Sequence, residues 1–209
     1  MKRFSPFAIA ILFAIPLIVL TGLVWTGSTE NFDHVWRHAA LDVNPPAAVG
    51  IWKSVTFLGS GLVITSLTLA VILALALLKQ WSGARYIAFV MLGAVAIETA
   101  MKWAVHRARP DEVVAYAMPT SFSFPSGHAL FATAFYGSFA VIVSTRPTGW
   151  ARAVVWVTVA ILVLAIGASR IFLGVHYPSD VIAGFLAGAL CISVFEAMQR
   201  TNKLPSQNV

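Results

Sequence analysis

Six stretches of the chain are almost uninterrupted in apolar residues, at 7–25, 60–79, 84–101, 127–145, 152–169 and 180–198. Each approaches the roughly 20 residues that an α-helix needs to cross the hydrocarbon core of a bilayer. Inside lipid the backbone N–H and C=O groups must be satisfied within the segment, so such runs predict helices. The expected fold is all-α, a six-transmembrane helical bundle built as one domain over 1–209. Between the first two runs the pattern changes. Phe32, Val35, Trp36, Ala39 and Ala40 recur at the spacing of one helical face, while Asp33, His34, Arg37 and His38 fall on the other. This segment, 31–41, predicts an interfacial amphipathic helix between spans one and two, with His34 and His38 on a solvated face.

The first run follows Met1-Lys2-Arg3 and imitates a signal peptide. It is longer than the usual 7–15-residue apolar core and no clear Ala-x-Ala site follows, so an uncleaved first span is expected. Hydrophobic residues make up 59% of the chain and charged residues 11%, against about 25% charged in soluble domains, which leaves an integral membrane protein as the fitting class. In that class the net charge of +6 reports orientation and headgroup contact and does not imply nucleic acid. Six of the seven tryptophans (Trp25, Trp36, Trp52, Trp81, Trp103, Trp150) lie near or outside the ends of the runs, as an interfacial aromatic belt requires. Cys191, the single cysteine, sits within an apolar run and reads as a small buried hydrophobe.

Six spans place both termini on one face. Of the fourteen Lys and Arg residues, Lys2, Arg3, Lys79, Arg85, Arg146, Arg152, Arg200 and Lys203 fall on that face. Arg37, Lys53, Lys102, Arg107, Arg109 and Arg170 fall on the other. Three of the latter belong to the polar clusters described next. With those set aside, the bias places the termini in the cytoplasm.

Charged groups near a bilayer are costly and mark candidate working sites. Ser169-Arg170, then His176-Tyr177-Pro178-Ser179-Asp180, lie between the last two runs. Pro178 suits the first turn of a new helix, and Asp180 then falls where a carboxylate is favoured by the helix dipole. From there it can turn back to His176. A carboxylate bonded to one imidazole nitrogen fixes the tautomer and leaves the other as base or nucleophile. Arg170 is a permanent planar cation suited to phosphate or carboxylate. After the third run come Lys102 and, seven residues later, Arg109-Pro110. Two helical turns would place both cations on one face, with Pro110 ending the helix near Arg109. Glu98, one turn before Lys102, is expected to neutralise it. The fourth run opens with Pro125-Ser126-Gly127-His128, where unsatisfied N–H groups make an anion site and glycine permits close approach. All four places fall on the face opposite the termini. The plainer reading of each cluster alone is an ordinary helix cap.

Together, Lys102-x6-Arg109-Pro110, Pro125-Ser126-Gly127-His128 and Ser169-Arg170-x5-His176-x3-Asp180 resemble the three-part signature of the phosphatidic acid phosphatase type 2 and vanadium haloperoxidase superfamily. The resemblance covers about 50–198, and the layout is similar to that of its bacterial membrane lipid phosphatases. It implies His176 as nucleophile forming a phosphohistidine, Asp180 orienting it, and His128 as acid and then base. It implies that Lys102, Arg109, Arg170, Ser126 and the Gly127 N–H hold the phosphoryl oxygens. No carboxylate cluster for Mg2+ is evident, so no metal and no cofactor are expected. The expected partners are the bilayer and a lipid phosphate, with undecaprenyl diphosphate, phosphatidylglycerol phosphate, phosphatidic acid and lipid A phosphates as candidates. The site is expected outside the cytoplasm. Two other classes compete: a lipid or anion permease, which needs the cations but not both histidines with Asp180, and a vanadate-dependent peroxidase, against which the short loops argue.

Overall fold

The computed structural model describes residues 6–111, 120–144 and 148–201, and Glu112 and the charged residues Lys2, Arg3, Arg146 and Lys203 used above for orientation lie outside them. The described residues form α1 (Pro6–Trp25), α2 (Glu30–Asp42), α3 (Ala48–Phe57), α4 (Gly61–Leu77), α5 (Trp81–Val105), α6 (Gly127–Val143), α7 (Gly149–Phe172) and α8 (Pro178–Thr201). The all-helical expectation holds among them. Five segments are long and apolar enough to cross a membrane: Phe7–Trp25, Ala48–Leu77, Trp81–Val105, Gly149–Phe172 and Pro178–Gln199. Gly127–Val143 is shorter, at 17 residues or about 26 Å.

The short helix is the central one. α6 packs against α4, α5, α7 and α8. Ala129, Leu130, Ala132, Ala134 and Ala140 on it are fully buried. Small residues set these distances, as is usual for helices packing in lipid. A methyl group on Gly184 of α8 would lie 2.7 Å from the Ser126 carbonyl and 2.8 Å from Ala129 Cβ. One on Gly167 of α7 would collide with Phe185. The outer faces are apolar: Leu62, Leu69, Leu73 and Leu77 of α4 are exposed, as are Trp25, Trp81, Trp103 and Trp150 at or near helix ends. The chain is an integral membrane protein.

Three details differ from the sequence expectation. The second span is longer than 60–79, because α3 precedes α4 through a short link at Leu58–Ser60. Gly59 makes this link, where any Cβ would collide with Ile166 of α7. The helix of the third span, α5, ends at Val105, four residues before Arg109. His106 adopts a left-handed conformation (φ 49°), its N–H bonded to the Lys102 carbonyl. Lys102 and Arg109 are therefore not two turns of one helix. Finally, α2 turns charge inward. Asp33 and Arg37 are buried while Phe32, Val35 and Trp36 are exposed. The Asp33 and Arg37 side of α2 packs on protein, against α7 and α8, and the apolar side stays exposed. His34 and His38 are exposed, as expected for a solvated face.

Candidate active site

The end of α7 and the start of α8 place the central imidazole. α7 closes with Gly174 at φ 75°, and the Val175 N–H bonds back to the Arg170 carbonyl at 3.1 Å. This Schellman-type turn turns the chain so that His176 follows at once. Pro178 opens α8, and the Asp180 carboxylate accepts the Tyr177 N–H at 2.9 Å, a capping arrangement that holds the carboxylate over its own helix start. His176 and Asp180 are both buried.

Asp180 Oδ2 lies 3.3 Å from His176 Nδ1 and also accepts the Ser123 hydroxyl. On the other side of the ring, Arg109 Nη1 lies 3.1 Å from Nε2. A guanidinium can only donate, so Nε2 is the acceptor and the partners assign the proton to Nδ1. Burial pushes the His176 pKa down to about 4, against the upward pull of Asp180, with Arg109 and Arg170 adding to the fall. At neutral pH the His176–Asp180 contact is thus a hydrogen bond of a neutral ring to a carboxylate rather than an ion pair. The lone pair that remains is on Nε2, which is the form a nucleophile requires.

The loop at 120–126 gathers the other groups. Ser121 is shared: Lys102 Nζ donates to its hydroxyl at 3.1 Å, and Arg109 bonds both its carbonyl (2.8 Å) and its hydroxyl (3.1 Å). So the two cations meet through a loop residue rather than along a helix face. Arg109 also donates to the Val175 carbonyl at 2.9 Å. Burial lowers the Arg109 pKa, with Asp180 and Glu98 acting in the opposite sense. Lys102 pairs with Glu98 at 3.0 Å, the expected i, i+4 contact. Glu98 lies beside the start of α6, 3.0 Å from where a Gly127 Cβ would stand.

Ser126 N–H donates to the Asp180 carbonyl at 2.9 Å, which ties the start of α6 to the start of α8. The Ser126 hydroxyl is buried and has no hydrogen-bond partner among the described residues. A buried hydroxyl in that state costs about 1–3 kcal/mol, and a bound anion would satisfy it. The ring of His128 contacts the Gly59 position and lies within electrostatic range of Arg170, His176, Arg109 and Lys102. Arg170 is buried and donates to Thr56 of α3 at 2.6 Å. Asn44 and Trp52 brace the same corner, with Trp52 stacked on Phe172 at 4.4 Å. The structure thus brings Lys102, Arg109, Ser126, Gly127, His128, Arg170, His176 and Asp180 to one end of the bundle, at the tips of α5, α6, α7 and α8.

Sequence reasoning missed the groups behind Asp180. Arg107 donates to Asp180 Oδ1 at 2.8 Å, to Ser179 Oγ at 2.7 Å and to Asp33 Oδ2 at 2.7 Å. Ser121, Ser123 and Thr56 were also unanticipated. Only the proximity of Arg107 to Arg109 hinted at any of these. His106, just past the end of α5, packs edge-on against Phe122 and Trp103. No group of three or more His, Cys, Asp and Glu side chains fit for a metal occurs among the described residues.

A bundle of apolar helices thus carries a carboxylate-bound imidazole among arginines at its helix tips, the arrangement of a membrane protein with cationic groups gathered at one end. The PAP2 superfamily model matches residues 83–204, and the chain belongs to that superfamily. It is 27% identical over 178 residues to the phosphatidylglycerophosphatase B of Bacillus subtilis, covering 83% of this chain and 86% of that protein. It is 34% identical over 125 residues to a lipid A 1-phosphatase of Rhizobium johnstonii, covering 56% of this chain. The match spans about half the length (47%) of that relative. The fold is similar to the crystal structure of the transmembrane PAP2-type phosphatidylglycerolphosphate phosphatase of Bacillus subtilis, with a TM-score of 0.82, 22% identity and coverage of 99% of this chain and 100% of that one.

Proposed function

We propose that the chain is a membrane lipid phosphatase that transfers a phosphoryl group from its lipid to His176 and then to water. One observation carries this reading: the buried His176 directs Nδ1 at Asp180 and presents Nε2 to a cationic group. In the first step Nε2 attacks phosphorus as the bond to the lipid oxygen breaks, and His128 protonates that oxygen. In the second, His128 takes a proton from water, whose oxygen attacks phosphorus, and the P–N bond breaks to release phosphate and neutral His176. Arg109 must pass its Nε2 contact to a phosphoryl oxygen when substrate arrives. Lys102, Arg109 and Arg170, with Ser126 and the Gly127 N–H, hold those oxygens and stabilise the charge of the transition state. Three cations then do what a divalent metal does in other phosphoryl transfers, so turnover needs no metal.

The relatives bearing phosphatase names support the reaction class, and those names set the first substrates to try: phosphatidylglycerol phosphate and a lipid A 1-phosphate. Undecaprenyl diphosphate and phosphatidic acid complete the panel. An anion permease would not need the His176–Asp180 pair, and the phosphatase names of the relatives favour a lipid headgroup site over a peroxidase. The arrangement we favour is a single domain with six spans, α6 being the short one, in a bacterial inner membrane. Its termini lie in the cytoplasm and its site on the opposite face. The deciding experiment is His176→Ala in the purified chain: phosphate release should vanish while lipid binding survives. Normal hydrolysis by that variant would end the proposal.

A further inference from the structure

Outside the signature residues, the most heavily bonded polar group of the described chain is the trio Asp33, Arg107 and Ser179. Asp33 and Ser179 have no exposed surface. Asp33 Oδ1 accepts the Ser179 N–H at 2.8 Å, and Oδ2 accepts the Ser179 hydroxyl and Arg107 Nη2, both at 2.7 Å. Arg107 Nη1 reaches Ser179 Oγ and Asp180 Oδ1. Its guanidinium also covers the Tyr177 ring, 4.1 Å from the centroid. Both donors of Ser179, its N–H and its hydroxyl, are thus taken by Asp33 of α2.

A carboxylate that must hold an imidazole needs its own orientation fixed, because a planar group can rotate about its last bond. Oδ2 of Asp180 faces His176, Ser123 and the Tyr177 N–H. Oδ1 is held by Arg107. Arg107 is fixed in turn by Asp33, and a guanidinium can bridge two carboxylates in a plane in a way an ammonium cannot. Asp33 is one of two buried residues of α2, whose apolar side faces outward. The helix is thus held to the site through charge and not through an apolar seam.

We infer that Arg107 and Asp33 are positioning residues: they lock the Asp180 carboxylate against rotation, and with it the His176 ring, and so couple the outer helix α2 to turnover. Neither residue touches the reacting atoms. The inference rests on the phosphatase reading for its kinetic readout, and one arm of the test does not.

The test uses the purified full chain in detergent with phosphatidic acid as probe, comparing Arg107→Lys, Asp33→Asn and, as control, His38→Gln on the exposed side of α2. Arg107→Lys and Asp33→Asn should each lower kcat about 10- to 100-fold, the range typical when a supporting contact to a functional ligand is lost. KM should stay within about twofold, and His38→Gln should leave both unchanged. In an Asp180→Asn background, followed by 32P release over hours, Arg107→Lys should add less than about twofold, because the residue it acts through is gone. An equal fold-loss in both backgrounds means that Arg107 serves only to hold the fold, and overturns the inference. So does unchanged kcat in Arg107→Lys. If Asp180→Asn leaves no measurable turnover, the His176 Nδ1–H signal in 15N-edited NMR decides: it should move in Asp33→Asn, and an unmoved signal refutes the inference. That arm stands even if the chain proves not to be a phosphatase. Should Arg107→Lys fail to fold, Asp33→Asn alone carries the same measurements.

Discussion

Gly184→Ala should separate the two halves of the site without replacing a residue of either. The added Cβ would stand 2.7 Å from the Ser126 carbonyl, 2.8 Å from Ala129 Cβ and 3.1 Å from the Leu130 N–H. Two of these neighbours are backbone, so no side chain can swing away. Reaching an ordinary 3.4 Å contact from 2.7 Å requires α8 and α6 to part by about 0.7 Å at this level. Ser126 N–H is bonded to the Asp180 carbonyl one turn away, so His128 and His176 move apart with it. Overpacking of this kind costs about 1–3 kcal/mol, and alanine returns about 0.5–1 kcal/mol of helix propensity, so the protein still folds. Misplacement near 1 Å lowers turnover by about 100-fold, so phosphate release should fall roughly 10- to 100-fold with a small drop in Tm. Gly188→Ala, one turn deeper and 2.7 Å from the Leu130 carbonyl, should cost similar stability but less activity. Gly22→Ala in α1, with nothing within 4 Å, should change neither. Wild-type kcat in Gly184→Ala would show that the contact between α6 and α8 does not set the histidine geometry.

Further outcomes follow from the same geometry. His176 has a folded pKa near 4 against about 6.5 unfolded, so the unfolded chain binds more protons between those values and stability falls as pH drops from 6.5 to 4. Wild type should lose up to about 3 kcal/mol more than His176→Asn over that range in chemical unfolding, and parallel curves would contradict a neutral buried ring. Turnover should survive EDTA, and vanadate should inhibit it without supporting halide oxidation; activity lost to EDTA and restored by Mg2+ would count against the three-cation account. Ser121→Cys, in an exposed loop, should react with an impermeant thiol reagent only from outside the cell, Cys191 being buried, and labelling from the cytoplasm alone would reverse the topology.

What was legible beforehand divides by distance along the chain. His176 and Asp180 stand four residues apart at a helix start, and Glu98 and Lys102 four apart at a helix end, so local geometry revealed both contacts. The apolar runs revealed where helices lie, because lipid demands length and hydrophobicity from each one independently. Asp33 and Ser179 are 146 residues apart, and no local pattern brings an interfacial helix to the start of the last span. For α2 the polar face was read as solvated, and half of it is: His34 and His38 are exposed, while Asp33 and Arg37 pack on protein. In a membrane the outer solvent is also apolar, so a charged stripe can be the face that packs on protein. The end of α5 was misplaced for a related reason. Pro110 marks the last residue a helix could reach, while Arg107 and Arg109 are drawn in different directions by tertiary partners, and the helix stops short at His106.

The charges around His176 are divided between its two nitrogens, and the division bears on how the proposed attack would proceed at neutral pH. Beyond Nδ1 stand Asp180, Arg107 and Asp33, two carboxylates and one guanidinium, formally −1. About Nε2 stand Arg109, then Lys102 with its Glu98, and Arg170 within electrostatic range, formally +2. A phosphate monoester near pH 7 carries −1.5 to −2, which the second group matches. Attack through Nε2 places positive charge on the ring, and the first group is negative where that charge arrives at Nδ1. Burial is the main reason the ring stays neutral, and Arg107 offsets one of the two carboxylates behind it. Without a cation on Oδ1, two buried carboxylates would raise the affinity of His176 for a proton, and a protonated ring has no lone pair to offer. With Arg107 in place, Asp180 can orient the imidazole and stabilise its product charge while leaving it neutral beforehand.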